Sequence, residues 1–285
     1  MATIYHYTTA AAFLGMMKNC TSEHRYLTMW ATHAMYLNDP TEYQYGKNVC
    51  RKLLQDVEAE LNILEDERLS KQMYSETMQG YFDTLDRGFS QQPSAISHGT
   101  PYIISFSRNR DSLPMWNTYA RRGNGIAIGF DERILKLDNR HISLKQCYYD
   151  VEDKDYTKVK TAIRMSYHML KEESQNDPTI AYVRKIDLML SLYAEVAAYI
   201  KHQAYKDEKE IRCRINKSED ILYRESNGLI VPYVETLIPF ESVNEIIIGP
   251  TIDQERLKHS LHMLLRTKMQ NHNVDIISSA IPYRG

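Results

Sequence analysis

Short apolar segments recur along the chain, several of them alternating with polar residues, and they predict β-strands. The pattern places these strands at residues 3–7, 25–30, 102–107, 126–130, 142–149, 210–215, 229–235, 243–248 and 274–277. Apolar residues at helical spacing predict helices at about 9–18, 41–64, 71–85, 111–120, 155–173, 179–202 and 252–269. Single helices do not alternate regularly with these strands, so a doubly wound parallel sheet is disfavoured.

Two long helical inserts, at about residues 41–87 and 151–203, interrupt the predicted strands. The chain shows no internal repeat and no low-complexity linker. A length of 285 residues is ample for a substantial core. We therefore predict a single α+β domain over residues 1–285, built on a mixed or split sheet with two helical inserts.

The charge balance and the cysteines narrow the class of protein. Lys plus Arg number 35 and Asp plus Glu number 37, a net charge of -2, which argues against a globally basic nucleic-acid binder but leaves room for a local patch. No apolar run approaches the roughly 20 residues that cross a bilayer, and the first residues lack a secretory-signal pattern, so we expect a cytoplasmic protein with no membrane partner. Cys20, Cys50, Cys147 and Cys213 are far apart, which favours reduced thiols over disulfides or zinc.

Two strand segments carry side chains suited to chemistry. The first is Tyr5-His6-Tyr7-Thr8, at the end of the opening strand. The second is the strand that ends in Ser105-Phe106-Ser107-Arg108, where alternation places Ser105 and Ser107 on one face. Taken alone, each segment is more typical of structural hydrogen bonding and of a strand end that turns to solvent.

Two further segments contain aromatic and acidic candidates. On a helix, Trp116 and Tyr119 share one face, where they form either part of the core or a wall for a planar ligand. In a strand, Glu208, Glu210 and Arg212 point to one face, which is either a solvated edge or a cleft carboxylate held by Arg212. The glycines that follow Tyr119 do not match the dinucleotide-binding pattern, so a Rossmann site is disfavoured.

The order of these segments resembles a bacterial family, domain-of-unknown-function 2971. The resemblance spans nearly the whole chain, and its motifs are Tyr5–Thr8, Leu37–Glu42, Ser105–Ser107, Met115–Ala120, Gly125–Phe130, Tyr205–Arg212 and Ile246–Pro250. That family in turn resembles the ADP-ribosyltransferases, whose pattern is a His or Arg on the first strand, a Ser-x-Ser strand with an aromatic beyond it, and a later Glu. His6, Ser105-Phe106-Ser107, Tyr119 and Glu210 follow this order, and Glu208-Lys209-Glu210 has the Glu-x-Glu spacing of one branch.

The second resemblance implies an ADP-ribosyltransferase-like core that cleaves the nicotinamide–ribose bond of NAD. Cleavage develops a cation at the anomeric carbon, which a carboxylate near the ribose stabilises, and this role falls to Glu210. Glu208 would activate the acceptor, and His6 would bind a ribose hydroxyl. The resemblance implies that NAD contacts His6, Tyr7, Thr8, Ser105, Ser107, Trp116, Tyr119 and, at the pyrophosphate, Arg108 or Arg110.

The expected function is therefore an NAD-consuming ADP-ribosyltransferase or NAD glycohydrolase without a metal, of the toxin or antiphage-effector kind. Its partners would be NAD, an unknown protein or nucleic-acid acceptor, and an inhibitory partner protein. Two alternatives stay open. One is a non-catalytic module that senses a nucleotide or binds a partner, and the other is a metal-dependent nuclease that uses Asp207, Glu208 or Glu210 with Lys209.

Overall fold

A computed structural model of the chain describes residues 3–39, 41–61, 101–137, 142–149, 153–174, 196–215, 220–226, 228–250, 253–270 and 272–282. Its strands are β1 (Thr3–Thr8), β2 (Tyr26–His33), β3 (Tyr102–Ser107), β4 (Ile126–Asp131), β5 (Ile142–Gln146), β6 (Tyr148–Tyr149), β7 (Ile200–Lys201), β8 (Glu210–Ile215), β9 (Leu222–Ser226), β10 (Leu229–Pro239), β11 (Val243–Ile248) and β12 (Asp275–Ser278). Its α-helices are α1 (Ala10–Met16), α2 (Glu42–Glu60), α3 (Leu113–Tyr119), α4 (Glu132–Leu137), α5 (Asp153–Ser174) and α6 (Gln254–Met269). Short 3-10 helices occur at Ala34–Tyr36, Ala197–Tyr199, Gln203–Glu208 and Phe240–Ser242.

The chain divides into two compact units. The sheet unit comprises Met1–His33, Tyr102–Cys147 and Tyr205–Gly285, and the helical unit comprises Ala34–Pro101 and Tyr148–Ala204. Both predicted helical inserts fall within the helical unit. The assignment of the whole chain to one domain stays a prediction.

Within the described residues, the sheet unit contains a ten-stranded mixed sheet. Its main path runs β12-β11-β4-β1-β3-β2-β10-β9, while β8 pairs with β3 and β5. Strands β11 and β12 are parallel and the other pairs are antiparallel. The predicted α+β class and mixed sheet are therefore confirmed.

The sheet opens between β1 and β3. These strands share the single residue pair Tyr5–Ser107, whereas β1 and β4 pair continuously from Thr3–Asp131 to Thr8–Ile126. Further along the edge that faces β1, strand β3 pairs with β2 at Thr32–Ile103 and His33–Tyr102, while β8 pairs with its other edge from Tyr102–Ile215 to Ser107–Glu210. Strands β1 and β3 are thus paired at one point only, between the middle of β1 and the last residue of β3.

The two faces of this sheet are covered differently. Alternate residues such as Ile4, Phe106 and Phe130 lie in the main core, where they pack with residues of α1 and α6. Tyr5 and Tyr7 point the other way and pack with residues of α3 and its C-terminal end in a smaller cluster. The other members of that cluster are Met115, Trp116, Ala120, Ala127 and Ile247.

The helix starts show where local sequence decides structure. The hydroxyl of Thr9 accepts a hydrogen bond from the Ala12 backbone N–H at 3.1 Å, so Thr9 caps α1. Asp39 does not cap α2, which begins only at Glu42. The Asp39 carboxylate instead accepts from the backbone N–H and the hydroxyl of Thr41, which lowers the pKa of Asp39.

Several predicted elements differ from the structure. The predicted helix at 179–202 is wrong at its end, since Ile200–Lys201 is a strand that pairs in parallel with Tyr148–Tyr149. The strand predicted at 142–149 is consequently divided between two sheets. Helix α4 and strand β9 were not predicted. The predicted helix at 71–85 lies outside the described residues.

The helical unit is held by contacts between α2 and α5. Val57 and Ile163 are fully buried. The Tyr167 hydroxyl donates to Glu58, and Arg164 forms an ion pair with Glu60. The two predicted inserts therefore pack against each other through these helices. No helix of the described residues is long and apolar enough to cross a membrane.

Candidate functional site

The candidate site lies on the face of the sheet opposite the main core, beside the opening between β1 and β3. Tyr5 of β1 is directly opposite Ser107 of β3, and Ser107 is directly opposite Glu210 of β8. Directly opposed residues of antiparallel strands point to the same face. The register therefore brings Ser107 and Glu210, two predicted site residues, next to each other.

Glu210 forms a buried ion pair with Arg212, two residues further along β8. Arg212 donates from Nε and Nη2 to the two Glu210 carboxylate oxygens, at 2.9 Å and 3.1 Å. The residues are only 5% and 2% exposed. The spacing that predicted Arg212 as a partner for a carboxylate is therefore confirmed, and the Glu210 charge is neutralised on the protein's own side.

Glu208 does not share this strand, which corrects the prediction that Glu208 and Glu210 alternate on one face. Strand β8 begins at Glu210, and Lys209 before it has a left-handed backbone with φ of 44°. The chain therefore turns between the two carboxylates. Glu208 is half-buried, whereas Glu210 is buried, so Glu208 is the carboxylate that remains reachable from solvent.

Two polar residues at the end of β3 hold this turn. The Ser107 hydroxyl donates to the Glu208 carbonyl at 2.6 Å and accepts from the Asn109 N–H at 3.0 Å. The Asn109 side-chain amide donates to the Asp207 carbonyl at 2.6 Å. Ser107 is completely buried. Its hydroxyl is thus engaged with the protein, so Ser107 positions Glu208 rather than presenting a hydroxyl to a ribose.

Tyr119 brings the aromatic helix to the carboxylate. Its hydroxyl donates to Glu208 Oε1 at 3.1 Å, and its side chain is half-buried. Trp116, the other aromatic candidate, is fully buried, donates to Asp111 at 2.6 Å and packs edge-on against Tyr7 at 4.8 Å. Only Tyr119 of this pair is therefore placed to meet a ligand, and Trp116 belongs to the core.

His6 lies on the other side of the sheet from Ser107 and Glu210. Its ring packs edge-on against Phe106, with centroids 5.8 Å apart, and Phe106 belongs to the main core. Nδ1 of His6 is 2.9 Å from the Ser105 carbonyl, which can only accept, so Nδ1 carries a proton in this contact. Burial lowers the pKa of His6, and the bond to Ser105 opposes this shift only in part.

The imidazole therefore does not meet the carboxylates, which corrects the expected convergence of His6 with Glu210. The physical reason is strand alternation, since Tyr5 rather than His6 shares the face of Ser107. The Ser105 carbonyl lies where β3 has parted from β1, and the imidazole supplies a hydrogen bond there. His6 is thus a structural residue of the sheet opening.

The remaining strand candidates are also engaged in the fold. Thr8 is the last residue of β1, pairs with Ile126 and is buried. Ser105 lies opposite Arg212, on the face of Ser107. The Tyr7 hydroxyl donates to the Asn109 carbonyl at 2.9 Å, and burial raises the Tyr7 pKa. These residues line or support the candidate face without forming a separate cluster.

Both arginines that were predicted to face a pyrophosphate are paired with a carboxylate. Arg108 forms an ion pair with Glu132 at 2.6 Å. Arg110 forms two hydrogen bonds with Glu245, at 2.8 Å and 3.1 Å, and the same carboxylate accepts from the Tyr5 hydroxyl at 2.7 Å. Both guanidinium groups are therefore paired with carboxylates of the protein, and their assignment to the pyrophosphate stays a prediction.

Sequence reasoning missed the polar residues that shape the site. Asn109 gave no signal, because its bond to Asp207 joins residues 98 positions apart. The Tyr5–Glu245–Arg110 cluster joins three elements and likewise follows no local pattern. Among the described residues, no group of three or more His, Cys, Asp and Glu side chains is placed to hold a metal ion.

The family comparison covers the part of the chain that carries most of this site. Residues 115–213 match the model of a family described as "Protein of unknown function (DUF2971)". The match supports the predicted family over this segment, which includes Tyr119, Glu208, Glu210 and Arg212. No curated protein and no solved structure matches the chain.

Proposed function

We propose that this chain is an NAD-cleaving enzyme that transfers ADP-ribose to a macromolecule or to water. The observation that carries the proposal is the half-buried Glu208 carboxylate, which is held by the Tyr119 hydroxyl next to the buried Glu210–Arg212 pair. A carboxylate, an aromatic ring and a rigid polar support suit a reaction in which a sugar becomes cationic.

The proposed reaction breaks the bond between the nicotinamide nitrogen and the anomeric carbon of ribose. The nicotinamide leaves with the bonding electron pair, and positive charge develops at the anomeric carbon. A hydroxyl, carboxylate or nitrogen of the acceptor, or water, then forms a bond to that carbon, and any proton that it carried passes to solvent. Glu208 would stabilise the developing charge, since it is the more accessible of the two acids.

We assign to Glu208 and Glu210 roles that differ from those expected from the sequence. The Glu210 oxygens accept from Arg212 inside the protein, so Glu210 would act by fixing the start of β8. Ser107 and Asn109 would fix the turn that carries Glu208. The Tyr119 ring would offer a surface for the nicotinamide, and its hydroxyl would orient Glu208.

The proposal includes an acceptor and a restraint. The acceptor would be a protein or a nucleic acid, as in toxins and antiphage effectors, or water in the case of an NAD glycohydrolase. An enzyme that consumes NAD endangers its own cell, so an inhibitory partner protein belongs to the same proposal. Mass spectrometry of cell lysate treated with NAD and the protein would detect a mass increase on the acceptor.

A non-catalytic nucleotide-binding module is the second candidate, and one observation favours it. Arg212 already neutralises Glu210, so the proposed site offers a single accessible acid where two were expected. Such a module would bind NAD or a related nucleotide without altering it. Calorimetry that detects binding, together with unchanged NAD after long incubation, would establish this function in place of the enzyme.

The enzyme is tested by comparing Glu208→Gln with the wild type. The substitution keeps the shape of the side chain but removes its charge, and Glu23→Gln is a matched control because Glu23 is exposed. We expect nicotinamide release from NAD to fall at least a hundredfold in Glu208→Gln and to be unchanged in the control. Equal release by all three proteins would remove Glu208 from the mechanism.

A further inference from the structure

A diphosphate-binding site is the missing part of the proposed function. NAD carries a pyrophosphate, and guanidinium groups are the side chains that bind such anions best. Arg108 and Arg110, which the sequence suggested, are occupied by Glu132 and Glu245. If the chain binds a dinucleotide at the candidate face, another cationic group has to meet its phosphates.

The turn after α3 holds two consecutive arginines in an unusual backbone conformation. Arg121, Arg122 and Gly123 have φ values of 47°, 54° and 86°. The left-handed region is unfavourable for residues with a Cβ atom, and two such residues in succession are uncommon. Strained backbone of this kind persists only where the surrounding structure enforces it, and it is frequent at ligand sites.

The surrounding structure does fix this turn. The Gly123 N–H donates to the Trp116 carbonyl at 3.1 Å, and the Asn124 N–H donates to the Arg121 carbonyl at 3.2 Å. A Cβ atom on Gly249 would lie 2.3 Å from the Gly123 carbonyl oxygen, so the segment after β11 packs directly on the turn. The backbone that carries both arginines is therefore anchored to the buried end of α3 and to the sheet.

The charges of this turn are not matched by the protein. Arg121 and Arg122 are exposed, and neither forms an ion pair with a carboxylate among the described residues. Six arginines elsewhere in the sheet unit do contact a carboxylate, in the pairs Arg25–Glu241, Arg108–Glu132, Arg110–Glu245, Arg133–Asp131, Arg212–Glu210 and Arg256–Asp253. Two adjacent positive charges on a fixed turn form a ready site for a doubly charged anion.

The position of the turn connects it with the carboxylate. Arg121 is two residues beyond Tyr119, whose hydroxyl binds Glu208, so at most about 7 Å of backbone separates their Cα atoms. We infer that Arg121 and Arg122 bind the diphosphate of the dinucleotide whose nicotinamide ribose lies at Glu208. This inference rests on the proposed function for the identity of the nucleotide.

The test compares the affinities of variants for ligands with and without a diphosphate. In R121Q/R122Q both charges are removed while the side chains stay polar, and R266Q is the matched control, because Arg266 is exposed and far along the chain on α6. The ligands are ADP-ribose, inorganic pyrophosphate and adenosine, measured by isothermal titration calorimetry. We expect R121Q/R122Q to bind ADP-ribose and pyrophosphate at least tenfold more weakly than the wild type, with R266Q unchanged.

The measurements with adenosine and pyrophosphate distinguish failure of this inference from failure of the proposed function. Unchanged affinity of R121Q/R122Q for ADP-ribose would overturn the inference, even if NAD is still cleaved. If the wild type binds neither NAD nor ADP-ribose, the proposed function fails, and pyrophosphate binding that depends on the two arginines would still support an anion site. A variant that loses adenosine and ADP-ribose equally would contradict a specific role at the phosphates.

Discussion

The buried ion pair between Glu210 and Arg212 makes a strong prediction for stability. Glu210→Gln keeps the volume of the side chain but leaves the Arg212 guanidinium, which is 2% exposed, facing a neutral amide. Two charge-assisted hydrogen bonds, of 2.9 Å and 3.1 Å, are replaced by weaker contacts. Removal of one partner of a buried pair costs about 3–5 kcal/mol, because the remaining charge stays desolvated.

Thermal unfolding measures this loss directly. Each kcal/mol corresponds to about 2–4 °C in the melting temperature of a protein of this size, so Glu210→Gln should unfold roughly 6–20 °C below the wild type. Differential scanning calorimetry or circular dichroism provides the assay. The exposed control Glu23→Gln should stay within about 1 °C, since surface substitutions rarely matter.

A second variant separates charge from packing. In E210L/R212M both charges of the pair are replaced by apolar side chains, and its loss of stability should be smaller than that of Glu210→Gln. A melting temperature of Glu210→Gln within about 2 °C of the wild type would refute the buried pair. Glu208→Gln is therefore the better probe of catalysis, since unfolding of Glu210→Gln would also abolish activity.

Three further predictions concern backbone strain, pH and thiols. Lys209→Gly should raise the free energy of unfolding by about 1 kcal/mol, because glycine adopts a φ of 44° without strain. The control Lys206→Gly should lower the free energy of unfolding. Urea titrations that rank the two variants the other way would contradict this prediction. Burial lowers the pKa of His33 to about 4, so folding favours its neutral form. The free energy of unfolding should therefore be highest above pH 6.5 and should fall by about 3 kcal/mol as the pH drops towards 4. Urea unfolding at pH 7 and pH 4.5 should show this loss in the wild type and a smaller loss in His33→Gln; identical losses would exclude His33 as the cause. The four cysteines are buried and form no disulfide, and burial raises the pKa of Cys50 and Cys213 to about 12. A thiol reagent should therefore react with none of them until the protein unfolds.

Sequence patterns located most of the sheet because its strands are locally distinct. Strands such as β3 and β8 begin and end within one residue of their predicted limits, since their apolar residues face one core. Strand β9 was missed because Leu222–Ser226 is a mostly exposed hairpin strand with little apolar alternation. The end of the predicted helix at 179–202 was missed because Ile200–Lys201 pairs with a distant strand, and pairing of that kind leaves no local pattern.

The candidate site was only partly predictable for a related reason. Contacts within one strand, such as Glu210–Arg212, follow from alternation. The hydrogen bond between Tyr119 and Glu208 joins residues 89 positions apart. It depends on the left-handed turn at Lys209, which the sequence Glu-Lys-Glu does not predict. His6 was misplaced because a motif gives the order of residues, whereas the strand register gives the face on which each side chain lies.

We propose that Glu208, held by Tyr119 on the face of the sheet opposite the main core, takes part in breaking the nicotinamide–ribose bond of NAD. Its most direct test is mass spectrometry of NAD incubated with the wild type and with Glu208→Gln, in the presence and absence of cell lysate. We expect free nicotinamide, accompanied by ADP-ribose or a labelled macromolecule, with the wild type and almost none with the variant. Intact NAD in every wild-type incubation would contradict it.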